Sequence, residues 1–134
     1  FMKTDRIRVL IVDDSADITR LLARQMRDQI DLMCVGTLPS ATGLIKAVRT
    51  YSADVVLMDL SMPGPATLPA ITALMDAVPA CRVIIFSGYD DDASVQAALD
   101  AGACALVSKS MKAQGILKMI RKVMAAPVAT PSLS

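Results

Sequence analysis

The sequence predicts a doubly wound α/β fold, a five-stranded parallel sheet with helices on both faces, and three observations carry that prediction. Short apolar runs of β type recur along the chain, and stretches with helical spacing separate them in strict alternation. Each apolar run is nearly continuous rather than alternating, as strands covered on both faces require. A strict βα repeat makes the crossovers right-handed and lays helices over both sides of one sheet. At 134 residues the chain has the length of one ordinary domain.

The elements follow in order. The first run is Ile7 to Val12, and Ile18, Leu21, Leu22, Gln25 and Met26 form the helical face behind it, flanked by Arg20, Arg24 and Arg27. Ser15 is a good cap for that helix, and Asp17 in its first turn favours the helix dipole. The second run, Met33 to Gly36, precedes a face of Leu44, Ala47 and Val48. The third, Val55 to Met58, precedes Ile71, Leu74, Met75 and Val78. Pro65 and Pro69 surround the start of this helix; because proline is tolerated only in a first turn, the helix is expected to begin near Thr67 or Leu68. The fourth run is Val83 to Phe86, with Val95, Ala98 and Leu99 behind it, and the acidic run Asp90, Asp91 and Asp92 reads as a solvated cap. The fifth, Ala105 to Val107, leads into Ile116, Leu117, Ile120, Val123 and Met124. Residues 1–5 read as an N-terminal tail in which Phe1, ahead of Met2, is an appended residue. Residues 6–124 form the domain, and residues 125–134, with two prolines and no charge, read as a flexible tail or the start of a linker.

Composition narrows the classes. With 54% apolar, 20% charged and 3% aromatic residues, the chain is too hydrophobic for disorder, and its core is built from Val, Ile, Leu, Ala and nine Met. A net charge of +1 creates no global field for nucleic acid or an anionic membrane. Cys34, Cys81 and Cys104 are odd in number and form no CxxC pair, so they read as buried small apolar residues of a reducing compartment. The apolar run behind Lys3, Asp5, Arg6 and Arg8 is too short for a signal peptide or a membrane span, which makes the cytoplasm the expected location.

In a doubly wound sheet, ligands bind beyond the carboxyl ends of the strands, where the strand order switches direction. The residues delivered there are Asp13 and Asp14 after the first strand, Asp59 ending the third, Ser87 after the fourth and Lys109 after the fifth. Taken alone, Asp13 and Asp14 could be helix N-terminal acids ahead of "SADITRLL". With Asp59 beside them they become a carboxylate cluster that needs a cation at neutral pH. Magnesium suits it, since it accepts one or two carboxylates and keeps waters that a phosphate can replace. A carboxylate can also be a nucleophile that forms an aspartyl-phosphate, with a lysine and a hydroxyl neutralising and bonding the phosphoryl oxygens. The chain has no histidine and no obvious further general base. A domain that accepts and holds a phosphoryl group is therefore expected rather than a dedicated hydrolase.

The segments "VLIVDDS", "VVLMDLSMPG", "VIIFSGYDD" and "AGACALVSKS" resemble response-regulator receiver domains, the CheY-like family of two-component signalling, in that family's order and spacing. The resemblance covers roughly residues 6–124 and implies a flavodoxin-like, CheY-like fold. It implies that Asp59 is the phosphoacceptor, and that Asp14, Asp59 and the backbone carbonyl of Ser61 hold Mg2+, with Asp13 acting mainly through metal-bound water. Ser87 would be the switch hydroxyl and Lys109 the phosphate-binding lysine. The phosphoryl donor would be a phosphohistidine on a sensor histidine kinase or phosphotransfer protein, which fits a chain without histidine. The domain would be no enzyme beyond assisting its own phosphorylation and dephosphorylation. Its output would pass through a downstream protein bound to the face of the fourth helix, fifth strand and fifth helix, with a homodimer as one form. The whole protein would be either a stand-alone regulator or the receiver of a longer transcription regulator, with no direct nucleic-acid contact by this domain.

Two positions depart from the family pattern. Leu106 stands where members usually carry an aromatic that swings inward on activation, so the readout here is a smaller motion or one that uses Tyr89. Ser110 stands where proline usually follows the lysine; a cis bond before a non-proline residue costs about 3 kcal/mol, so the Lys109–Ser110 bond is expected to be trans. Lys109, Lys112, Lys118, Arg121 and Lys122 make the last helix basic, as a solvated face or as part of the partner face. Two rivals remain. A haloacid-dehalogenase-like phosphatase would need an acidic residue where Ser61 stands. A pseudo-receiver that signals by binding alone would typically lack one of the acidic or basic groups, and here the set is complete.

Overall fold

The computed structural model describes residues 6–60, 67–88 and 92–125. Its elements are β1 (Ile7–Val12), α1 (Ala16–Arg27), β2 (Leu32–Leu38), α2 (Leu44–Tyr51), β3 (Val55–Asp59), α3 (Thr67–Ala77), β4 (Arg82–Ser87), α4 (Asp92–Ala101), β5 (Ala105–Ser108) and α5 (Ala113–Ala125). The strands form one sheet in the order β2-β1-β3-β4-β5, and every pair is parallel. The chain moves one way from β1 to β2 and the other way from β3 onward. That reversal opens a crevice at the carboxyl ends of β1 and β3.

Alternation along the central strands supplies two separate cores. Leu10, Val12, Val56, Met58, Val83 and Ile85 face one side, where α2, α3 and α4 add Leu44, Val48, Ile71, Leu74 and Ala98. Val9, Ile11, Val55, Leu57, Ile84 and Phe86 face the other, packed by Leu22 and Met26 of α1 and by Ile116, Leu117 and Ile120 of α5. Nearly continuous apolar runs were the signal for this arrangement, and both cores are closed to water.

α3 begins at Thr67, as Pro69 requires. β2 runs further than Met33 to Gly36, and its pairing with β1 jumps from Cys34 to Gly36, which leaves Val35 as an extra residue. A Cβ on Gly36 would lie 2.9 Å from Cε2 of Tyr51, so the Tyr51 ring occupies the space a side chain would take. Gly102 follows α4 with φ of +127° and carries the chain into β5 past Met75, whose Cγ would lie 2.5 Å from any added Cβ.

Some apolar positions expected inside are not. Leu21 is 54% exposed, because the buried stripe of α1 is centred on Leu22 and Met26 and Leu21 is turned off it by about 100°. Leu99 is likewise exposed on α4. Among the cysteines only Cys81 is buried; Cys34 is intermediate and Cys104, just ahead of the edge strand β5, is exposed. All three are free thiols. Among the described residues no helix is long and apolar enough to cross a membrane.

Candidate functional site

Asp13 leaves the end of β1 with its backbone N–H donated to the Leu38 carbonyl of β2 at 3.0 Å, which fixes the direction of its side chain. The two carboxylate oxygens then do different things. Oδ1 accepts the Ser15 backbone N–H at 2.8 Å, an Asx-type turn that starts α1, while Ser15 Oγ in turn accepts the Ile18 N–H at 3.4 Å. Oδ2 is fully enclosed and accepts no hydrogen bond; its charge partner is the Lys109 ammonium 2.9 Å away, outside hydrogen-bonding alignment. The capping and metal-binding readings of Asp13 are thus both available, one to each oxygen.

Asp59 ends β3 and is 2% exposed, and its Oδ2 accepts a hydrogen bond from Lys109 Nζ at 3.1 Å. Asp14 is exposed. One carboxylate oxygen from each of Asp13, Asp14 and Asp59 lies within 4.8 Å of the others. Burial alone would depress the Lys109 pKa, but the close negative charges of Asp13 and Asp59 outweigh that and raise it above the ordinary lysine value. The same ammonium lies 5.5 Å from the centre of the Phe86 ring.

The loop after β5 aims this lysine. The Lys109 backbone N–H donates to the Ser87 carbonyl at 2.8 Å, which ties it to the end of β4, where the Ser87 side chain is buried. Ser108 Oγ accepts the Ser110 N–H at 3.1 Å and lies 2.7 Å from Ser110 Oγ, and Met111 N–H donates to the Ser108 carbonyl at 3.0 Å. The described residues contain no cis peptide bond, so the Lys109–Ser110 bond is trans as expected. Two serine hydroxyls shape the turn at the position where the family usually carries proline.

The fold therefore brings together Asp13, Asp14, Asp59, Ser87 and Lys109 as the sequence predicts. Ser61, Pro65, Tyr89, Asp90 and Asp91 lie outside the described residues. Leu106 is exposed on the edge strand β5. Sequence reasoning missed the Ser108–Ser110 turn and the Phe86 ring beside Lys109; the only available signal for the ring was an aromatic immediately before Ser87.

The donor set fits a hard divalent cation. It presents oxygens only, more negative charge than one ammonium balances, and in Asp13 Oδ2 a buried oxygen without a hydrogen-bond donor. Asp13, Asp14 and Asp59 are the residues that could hold Mg2+.

Comparison with known proteins adds an independent line. Residues 9–121 match the sequence model of the family described as response regulator receiver domain. The response regulator GacA of Pseudomonas aeruginosa is 30% identical over 119 residues, which cover 89% of this chain and 56% of that protein. The response regulator UvrY of Escherichia coli is 30% identical over 117 residues, 87% of this chain and 54% of that one. The chain thus spans about half the length of these curated relatives. Among solved structures, the response regulator domain of Thermotoga maritima CheB superposes with a TM-score of 0.80 at 29% identity, covering 91% of this chain and 98% of that one. A LuxR-family two-component response regulator from Aurantimonas gives 0.83 at 25% identity, covering 95% of this chain and 91% of the other.

Proposed function

The chain belongs to the response regulator receiver domain family, and from that premise we propose that it takes a phosphoryl group onto Asp59 from a phosphohistidine of a sensor kinase or phosphotransfer protein. The observation that carries this reading is the Lys109 ammonium set between Asp13 and Asp59 at the switch point of the sheet, with the Lys109 backbone tied to that of the buried Ser87. In transfer, the P–N bond of the donor breaks as a carboxylate oxygen of Asp59 bonds to phosphorus, and the released imidazole takes up a proton. Asp13, Asp14 and Asp59 are the residues that would hold Mg2+, which would supply charge neutralisation for the phosphoryl oxygens. Lys109 exchanges its bond to Asp59 Oδ2 for a phosphoryl oxygen, and Ser87 donates its hydroxyl to another.

The receiver spans residues 6–124, with 125–134 as a tail or the beginning of a linker, and it works in the cytoplasm. Its output is a shift between two conformations read by a protein partner, or by a second copy of the chain, on the α4–β5–α5 side. Exposed Leu99, Leu106 and Met111 on those elements and their connections support this choice of face. Leu106 cannot swing as an aromatic does, so the change at this face is a small displacement of β5 and α5 led by Ser87 and Lys109. Any effector in the whole protein acts downstream of that change.

The test is incubation with acetyl phosphate, with and without Mg2+, followed by intact mass for the native chain and for Asp59→Asn. A Mg2+-dependent gain of one phosphoryl group, absent from the variant, is expected. A folded protein that gains none under any condition would sink the proposal and leave the acidic edge as a binding surface.

A further inference from the structure

We propose that Ser108 is a positioning residue for Lys109: its hydroxyl, paired with that of Ser110, holds the loop after β5 in the shape that brings the ammonium between Asp13 and Asp59, and so sets the rate of phosphoryl transfer. The rate consequence rests on the phosphoryl-transfer reading of Asp59, whereas the placement of the ammonium does not. Lys109 Cα stands between two rigid peptide planes, and one hydrogen bond holds each of them. The plane before it is fixed by the Lys109 N–H, which donates to the Ser87 carbonyl at 2.8 Å. The plane after it is fixed by the Ser110 N–H, which donates to Ser108 Oγ at 3.1 Å. With both planes held, the Cα–Cβ direction of Lys109 is set. The Ser108 hydroxyl thus governs the root of the lysine side chain without touching its head.

Proline could not serve in this device, because it has no N–H to give to Ser108 Oγ. Serine at position 110 supplies the N–H and adds a second contact, Oγ to Oγ at 2.7 Å, in which either hydroxyl can donate. The Met111 N–H then closes the turn on the Ser108 carbonyl at 3.0 Å. Packing around the lysine stem does less. Gly88, exposed beside it, brings no side chain, although an added Cβ would stand in ordinary contact, 3.6 Å from Lys109 Cδ. A flexible four-carbon stem with an open side keeps its head 2.9 Å from Asp13 Oδ2 and 3.1 Å from Asp59 Oδ2 because its root is fixed. Both serine hydroxyls lie at the surface, on an edge strand and the loop behind it, so removing one leaves the two cores intact.

The experiment follows Mg2+-dependent phosphorylation by acetyl phosphate, as intact mass against time, in the full chain. Ser108→Ala is expected to be about tenfold slower than the native chain, and Ser108→Thr, which keeps the hydroxyl, to return to within about twofold of it. In Lys109→Met no ammonium is left to place, so adding Ser108→Ala there is expected to change the rate by less than about twofold. Urea unfolding in metal-free buffer reads the placement without any phosphoryl transfer. The midpoint shift caused by Lys109→Met is expected to be at least halved in the Ser108→Ala background, since an ammonium already displaced stabilises less when present. A native chain that takes no phosphoryl group would sink the reading of Asp59 alone, and the urea cycle would then decide the placement. A native rate in Ser108→Ala, equal slowing with and without Lys109, or midpoint shifts that simply add would each overturn the proposal.

Discussion

Lys109 reaches from the loop after β5 to within 2.9 Å of Asp13 at the end of β1, across the ends of two intervening strands. The acidic edge thus has a cation of its own, and that cation is shared with Asp59 at 3.1 Å. Replacing it leaves two buried carboxylates facing each other. Lys109→Met is expected to cost about 3 kcal/mol of stability in metal-free buffer, read as the shift in urea midpoint at unchanged slope. A variant as stable as the native chain would mean that the ion pair contributes nothing net.

The same crowding predicts stabilisation by metal. Magnesium should raise the melting temperature in a concentration-dependent way, worth about 2.7 kcal/mol at a hundred times its dissociation constant. Asp14 is the exposed member of the cluster, so Asp14→Asn can be made without opening the core. It is expected to match or slightly exceed the native melting temperature without metal and to lose most of the magnesium shift. A full shift in this variant would place the ion elsewhere.

At the opposite edge, Arg121 donates Nε to Asp31 Oδ2 at 2.8 Å and Nη2 to Asp31 Oδ1 at 3.0 Å and Gln29 Oε1 at 2.7 Å. The hydrogen bond from Arg121 holds the Asp31 pKa below its ordinary 3.8. A depressed folded-state value means that this pair stabilises the fold above the unfolded pKa and ceases to do so as pH falls through the folded one. Both side chains are more than a third exposed, so solvent screening keeps the effect small. Arg121→Gln is expected to lose about 0.5–1 kcal/mol at pH 7 and to converge with the native chain as pH falls below the ordinary carboxylate range; a pH-independent difference would assign the loss to packing.

Burial pushes the Cys81 thiol up to about 12, while Cys104 is exposed. Native chain treated with iodoacetamide at neutral pH should therefore be modified first at Cys104, then slowly at Cys34, and at Cys81 only after denaturation. Peptide mass mapping over time gives the order, and early label on Cys81 would contradict the packing described here.

Fold and site were legible in the sequence for one shared reason. Strands covered on both faces announce themselves as unbroken apolar runs, and the residue that ends each run must stand at the sheet's edge. Asp13, Asp59, Ser87 and Lys109 could be assembled from those endings alone. What escaped depended on a neighbour's position in space. Leu21 fits a helical apolar pattern as well as Leu22 does, and only the width of the α1 contact decides that it stays in water. Cys104 looks like core until β5 proves to be an edge strand. The division of labour between the two oxygens of Asp13 follows from the direction of one backbone N–H, and no residue pattern records that. Ser110 was read only for the trans bond it allows, and its pairing with Ser108 depends on how the loop folds back after β5.

The alternation that feeds two cores also sets which kinds of sequence change these strands can absorb. In β1 and β3, Leu10, Val12, Val56 and Met58 serve one core while Val9, Ile11, Val55 and Leu57 serve the other. Losing or gaining one residue inside either strand would exchange the two sets and turn the terminal aspartate to the wrong face. Substitution by a similar side chain is a local matter in these strands, whereas a change of length is a frameshift in three dimensions. Such changes belong in the loops or at the margin of the sheet, and β2 carries one there already, in the unpaired Val35.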